Sequence, residues 1–402
     1  MSDNTKREEW SRSWPLPPIA MFGIMGPAAF SYSGGIFMGE MTRTFGWTKA
    51  QFSSAFVLQV VLGLIIGPLA AIVLDRVGPR RMLLAGIVPV AAGLSLFSLV
   101  NGAMWQWWML AGFYSVITAG VIPAAWMSGV VQSFDKARGM AMAVGLAGIG
   151  IATTVWPILV AWLVQHIGWR LAFPVMGFGW ALFLLPLVFF FYKPTRQAEP
   201  IFHAKDLPPI WPVVWTRTFW CLLGAGGIFA SVQMALIMHF VPILLLQGFN
   251  LTNAAGIAGI IGIFSIIGRV GTGTLLDWVP TKRIAIVAFI LPLVVMWLLV
   301  SAHGSAGMLM LAAALLGFAA GSETDVVAFL CSRRFDQRIF GTIYTLFQTG
   351  FAILASLGPL LAGWRFDVTR SYDSFFIIAV PLVLIATLLI MLVPAEKRAN
   401  DF

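Results

Sequence analysis

The chain carries 25 Lys and Arg residues, and all but one lie near the ends of long apolar segments or in the loops between them. The exception is Arg269. It sits inside the apolar stretch 254–276, eight residues before Asp277, which places it roughly 12 Å from that end of a helix and near mid-bilayer if the segment spans. A lone cation at such depth costs roughly 2.5–3.5 kcal/mol even on a lenient insertion scale, so groups of this kind usually face a cavity and act there. Two acids lie at similar depth, Glu323 and Asp325. Glu323 is ten residues before Arg333, roughly 15 Å from that surface. A carboxyl desolvated there is suited to taking up a proton. These groups form the minimum set for proton-coupled anion transport. An organic anion neutralises Arg269, a proton neutralises an acid, and the loaded carrier crosses with less buried charge. The acids are two residues apart, about 200° on a helix, so one of them faces a cavity. The plainer reading of Arg269 is a salt bridge to Asp325 or Glu323 that holds spans together. The two readings are compatible, since a substrate can displace the acid.

Other polar groups within apolar segments extend the candidate pocket. Tyr32 follows Ser31 and precedes Gly34 and Gly35. His239 stands before Pro242, where a helix break frees carbonyls. Tyr344 and Gln348 are four apart and share a helix face. Trp126 and Trp156 lie deep in their segments. Each has a packing alternative: hydrogen bonding between helices for the polar groups, an aromatic wall without ligand contact for the indoles. Asp75, Arg76, Arg80, Arg81, Asp135 and Arg138 occupy short loops on one side and read as charge pairs of a cytoplasmic gate, with a solvated basic surface as the alternative. Gly145, Gly148 and Gly150 permit close helix approach.

The elements that must position these residues follow from hydropathy. The 402 residues are 59% hydrophobic and 10% charged, with mean hydropathy +0.90. A soluble domain has about 25% charged residues, so this is a polytopic all-α membrane protein. Twelve spans are expected near 17–40, 48–74, 82–101, 106–132, 139–165, 168–192, 217–247, 253–276, 283–302, 305–331, 338–363 and 373–394. With the N-terminus inside, nineteen Lys and Arg fall on the inner side and five (Arg43, Lys49, Arg170, Arg365, Arg370) on the outer. That asymmetry places both termini in the cytoplasm. The polar N-terminus has no apolar h-region, so no cleaved signal peptide is expected.

The net charge of +9 comes from basic residues spread singly between spans, which is a topology signal rather than a nucleic-acid surface. The proline-rich break 193–216 divides six spans from six. The expected organisation is a segment 1–16, a six-helix bundle 17–192, a cytoplasmic linker 193–216, a second bundle 217–394 and a tail 395–402. The halves share sequence: DRVGPRR (75–81) answers DWVPTKR (277–283), and FGWTKA (45–50) answers FNLTNA (249–254). Parallel repeats of this kind build two pseudo-symmetric bundles around a central site.

The loop from Gly67 to Arg81, with Asp75, Arg76, Gly78, Arg80 and Arg81, resembles the signature between spans two and three of the major facilitator superfamily. Within it, FSY (30–32), FDKARGMAMAVGLAGIGI (134–151), IGWRLAF (167–173), GRVGTGTLLD (268–277) and the stretch from Glu323 through 363 resemble the monocarboxylate and oxalate/formate branch. The resemblance implies that Arg269 binds the substrate carboxylate and that Asp325 is the cavity-side acid. Three departures stand out. Ser265 occupies the place of an acid, Ile36 that of a lysine, and Phe347 and Gln348 that of a second cation. One cation suits one carboxylate.

The expected function is therefore secondary transport of a small organic monocarboxylate with a proton, by rocking of the bundles, in a cytoplasmic (inner) membrane. Organic anion exchange of the oxalate/formate type is the alternative. Multidrug export or a transporter-like ligand sensor ranks below it. The partners are an organic acid anion, protons and the lipid bilayer, with a monomer as the working unit and no nucleic acid. No Gly-rich phosphate loop, metal-ligand spacing or catalytic grouping is found, so no enzyme, metal or cofactor is expected. Cys221 and Cys331 are too far apart in sequence to suggest a disulfide framework.

Overall fold

A computed structural model describes residues 2–193, 211–276, 278–335 and 340–393. Most of the expected linker and the tail 395–402 lie outside the described residues. Among those described, all regular structure is helical. In order the helices are α1 (Ser2–Ser13), α2 (Leu16–Tyr32), α3 (Gly34–Phe45), α4 (Lys49–Val77), α5 (Pro79–Leu96), α6 (Met104–Thr118), α7 (Pro123–Ser133), α8 (Arg138–Phe191), α9 (Trp211–Val214), α10 (Arg217–Leu246), α11 (Leu251–Leu275), α12 (Thr281–Ser301), α13 (Ala306–Arg334), α14 (Phe340–Thr369) and α15 (Asp373–Leu392).

Local chemistry sets several starts and stops. Thr48 and Gln51 form a reciprocal box at the start of α4: Thr48 N–H donates to Gln51 Oε1 (2.9 Å) and Gln51 N–H to Thr48 Oγ1 (3.1 Å). That satisfies two otherwise orphaned donors. Asn250 caps α11 through Asn253 N–H at 2.8 Å, and Thr216 caps α10 through Phe219 N–H. Helix α8 runs for 54 residues. Straight, it would be roughly 80 Å long, against a hydrocarbon core of about 30 Å. Gly168, at φ 77° and ψ 160°, divides it, so it supplies two crossings. Among the described residues eleven helices are long and apolar enough to cross a membrane, and the division of α8 makes room for twelve crossings. The first crossing is itself interrupted at Ser33, between α2 and α3, where the sequence had suggested one unbroken span.

The chain forms two compact units, Met1–Trp47 with Ser54–Glu199, and Thr48–Ser53 with Pro200–Phe402. In the first, α8 packs against α2 and α5. Trp156 and Trp180 donate their indole N–H to the carbonyls of Met25 (2.8 Å) and Phe22 (2.9 Å), and Phe30, Phe97, Trp107 and Phe173 fill the centre. In the second, α11 packs on α13, α10 on α14, and α12 on both α13 and α15, around Phe229, Phe289, Phe347 and Phe351. Large apolar side chains such as Leu182, Ile377 and Val270 point outward, as a surface solvated by hydrocarbon allows.

Candidate functional site

The α11–α13 seam of the second unit is built from small residues. A Cβ on Gly268 would run into the Phe318 carbonyl oxygen, one on Gly317 into that of Ile261, and one on Gly321 into that of Ser265. Only glycine lets the backbones come this close. Hydroxyls lock the same seam: Thr272 donates to Ser322 (2.7 Å), which donates to the Phe318 carbonyl (2.8 Å).

Arg269 lies between Gly268 and Thr272 on this seam, half-buried. Its charge acts on Glu323 and Asp325, and all three act on the Tyr344 hydroxyl of α14. The second unit therefore brings four of the sequence candidates within electrostatic reach of one another. On α13, Asp325 falls roughly 40° from Gly321 and so on the face that meets α11, while Glu323 falls roughly 140° from Phe318, away from that face. Glu323 Oε1 is buried with no hydrogen-bond partner. The arrangement offers a guanidinium, two acids and a phenol, which is sufficient to hold one carboxylate and one proton.

His239 of α10 sits elsewhere in that unit. Its Nε2 is 3.0 Å from the Pro359 carbonyl oxygen and its Nδ1 is 2.8 Å from the Tyr372 hydroxyl. A carbonyl only accepts, so Nε2 carries the proton. Tyr372 then donates to Nδ1 and accepts from Lys49 Nζ at 2.8 Å. The Lys49 ammonium also lies 3.4 Å from the centre of the Phe366 ring. Beside it, Asp367 takes the backbone N–H groups of Lys49 and Ala50 on its two oxygens, each at 2.9 Å. Lys49, Asp367 and Tyr372 were not singled out from the sequence. Gln348 is half-buried on α14, one turn beyond Tyr344.

The remaining candidates lie in the first unit. Trp126 is fully buried, its N–H donated to the Val121 carbonyl at 3.1 Å and its ring against Gly23. Tyr192 donates to the Trp126 carbonyl at 2.7 Å. Tyr32 is the last residue of α2 and half-buried. Of the gate candidates, Asp75, Arg76, Arg81, Asp135 and Arg138 are exposed. Arg80 donates to the Phe189 carbonyl at 2.6 Å, and Arg138 to those of Phe134 (3.3 Å) and Val131 (3.4 Å).

Glu9 of α1 ties that helix to the same loop region, accepting the N–H groups of Lys136 and Ala137 at 3.0 Å each. Burial pushes its carboxyl up, but these donors and the Asp135 amide more than offset that and hold it below its ordinary value of 4.5. Both cysteines are buried and free, and no cluster of potential metal ligands occurs among the described residues.

Residues 20–359 match the sequence profile of the Major Facilitator Superfamily. Monocarboxylate transporter 13 of Rattus norvegicus is 24% identical over 387 residues, covering 90% of this chain and 87% of that protein. The MFS-type transporter pynF of Aspergillus niger is 23% identical over 263 residues, 65% of this chain and 58% of its own length. The chain thus spans little more than half of that fungal relative. A crystal structure of the nucleoside transporter NupG superposes with a TM-score of 0.76 at 10% identity, over 94% of this chain and 99% of that one, a likeness of fold.

Proposed function

From a chain that belongs to the Major Facilitator Superfamily, we propose secondary transport of a small organic monocarboxylate together with a proton. The observation that carries the reading is the half-buried Arg269, set on a glycine seam within electrostatic reach of Glu323, Asp325 and Tyr344. A guanidinium offers a planar fork of donors that fits a carboxylate in two bonds. An arriving anion takes over the positive charge that the acids otherwise balance, which frees one acid to bind a proton. Asp325 is the proton carrier in this scheme, because it shares the α11 face with Arg269, and Glu323 backs it from within. The name of the rat relative, a monocarboxylate transporter, supports the substrate class.

The unequal sharing of Lys and Arg between the two sides supports a cytoplasmic-membrane protein with both termini inside. The duplicated halves support alternating access by rocking of two bundles.

Purified protein tests this through thermal shift and uptake into proteoliposomes. Monocarboxylates raise the melting temperature of the wild type, and Arg269→Gln weakens their binding by about tenfold to a hundredfold, the worth of a charged hydrogen bond. Asp325→Asn abolishes accumulation driven by a pH gradient and leaves counterflow. Equal stabilisation of wild type and Arg269→Gln would sink the clamp. Wild-type counterflow with no response to an imposed pH gradient would instead mark an anion exchanger.

A further inference from the structure

A cavity of about 610 Å³ lies in the second unit, lined by Ile228 of α10, Leu382 of α15 and Leu354, Leu357, Leu361 and Trp364 of α14. The α14 residues recur at intervals of three and four, so they form one apolar stripe roughly 15 Å long. Ser231 adds a hydroxyl, and no charged residue is among the described lining. Leu357 and Trp364 are partly exposed, so the cavity opens as a groove on the surface. It lies within the apolar crossing Thr342–Thr369, where hydrocarbon is the solvent. Water finds too few polar partners there to fill it, and left empty its walls would forfeit dispersion contacts. A hydrocarbon chain restores them.

One end of the groove is cationic. Arg365 follows Trp364, with its guanidinium carbon 5.3 Å from the centre of that ring. Its Nε is buried without a hydrogen-bond partner. Such atoms are rare and call for an explanation. The carboxylate two residues on does not supply one, because Asp367 engages both oxygens with the N–H groups of Lys49 and Ala50. Arg370 is exposed at the same end of α14. A tryptophan and basic side chains at the end of a span mark the headgroup level of a bilayer, and anionic lipid headgroups are drawn to such clusters. We propose that the groove holds one acyl chain of an anionic phospholipid, whose phosphate is received by Arg365. The guanidinium presents paired N–H donors to the phosphate oxygens, and the bilayer supplies the chain from the side. Neither Arg269 nor the acids beside it take part.

Native mass spectrometry of the full-length protein measures binding of dioleoylphosphatidylglycerol, dioleoylphosphatidylcholine and oleate, for wild type, Arg365→Gln, Leu357→Trp and Leu182→Trp. Leu182 is an outward-facing residue of the first unit and controls for added bulk on the lipid-facing surface. Wild type should bind its first phosphatidylglycerol about tenfold more tightly than phosphatidylcholine, the worth of a charged hydrogen bond. Arg365→Gln should erase that preference. Leu357→Trp, which fills the groove, should weaken phosphatidylglycerol by a similar factor, and Leu182→Trp should match wild type. Equal binding of the two lipids by wild type marks an unselective lipid coat and overturns the proposal. So does a preference that survives Arg365→Gln, or a Leu357→Trp variant that binds no worse than Leu182→Trp. Oleate that displaces phosphatidylglycerol at equal concentration would make the groove a site for free fatty acids and also overturns it. Should Leu357→Trp not fold, phosphatidylglycerol with a diazirine on its acyl chain takes its place. The label must then fall between Leu354 and Trp364, and label found only elsewhere refutes the groove.

Discussion

Gly321→Ala is the sharpest test of how the site is held. A Cβ at this position would overlap the Ser265 carbonyl oxygen and come within 2.8 Å of the Arg269 amide nitrogen. Both contacts are backbone, and neither can rotate away. Interiors packed this tightly do not absorb such overlap, so α13 must move off α11 by several tenths of an ångström. Overpacking of this kind costs about 1–3 kcal/mol. It also displaces Asp325, one turn further along α13, from Arg269. A control lies in the same helix pair. Gly256 on α11 has nothing within 4 Å of its would-be Cβ, and Gly256→Ala should be neutral or stabilising by up to about 1 kcal/mol. Unfolding midpoints in detergent read the first effect and monocarboxylate-induced thermal shifts the second. Gly321→Ala should melt several degrees below Gly256→Ala and gain less from ligand. If the two alanine variants melt together and bind alike, the seam does not set the position of Arg269.

Two further outcomes follow from contacts away from that seam. Asp367→Asn leaves Lys49 and Ala50 with a weaker, half-inverted acceptor, so hydrogen exchange in the first turn of α4 should quicken by the equivalent of about 1 kcal/mol. Unchanged protection there would show that the Thr48–Gln51 box alone suffices. Glu9 is held below 4.5 in the fold, so its contribution is present above that pH and lost as pH falls through the lowered value. Wild type should be more stable than Glu9→Gln at neutral pH, and the difference should close in acid. A gap that persists at low pH argues against the carboxylate contact with Lys136 and Ala137.

Much of the fold is legible in the sequence, because hydropathy and basic-residue bias act over whole spans. Arg269 stood out because a cation inside an apolar run is expensive, Glu323 and Asp325 because buried acids are expensive too, and Tyr344 because it shares a helix face with Gln348. What escaped depends on partners far apart in the chain. The pairing of His239 with Tyr372 spans 133 residues, and nothing near either residue announces it. Asp367 was missed because apolar character was expected to end at 363, whereas α14 continues to Thr369 and carries the acid past the expected boundary. The break at Ser33 has no proline at the break itself, and Pro27 lies six residues before it, so the first span read as continuous.

The bridge from Lys49 through Tyr372 and His239 to Pro359 has a polarity. Ammonium, phenol and imidazole each hand a hydrogen in the same sense, and the terminal carbonyl has none to return. The ring is thereby committed to a single tautomer. Flipped end over end, it would confront Pro359 with a bare nitrogen and the phenol with a competing hydrogen. Such a strut cannot be replaced piecemeal, because any substitute must receive at one end and give at the other across the width of an imidazole.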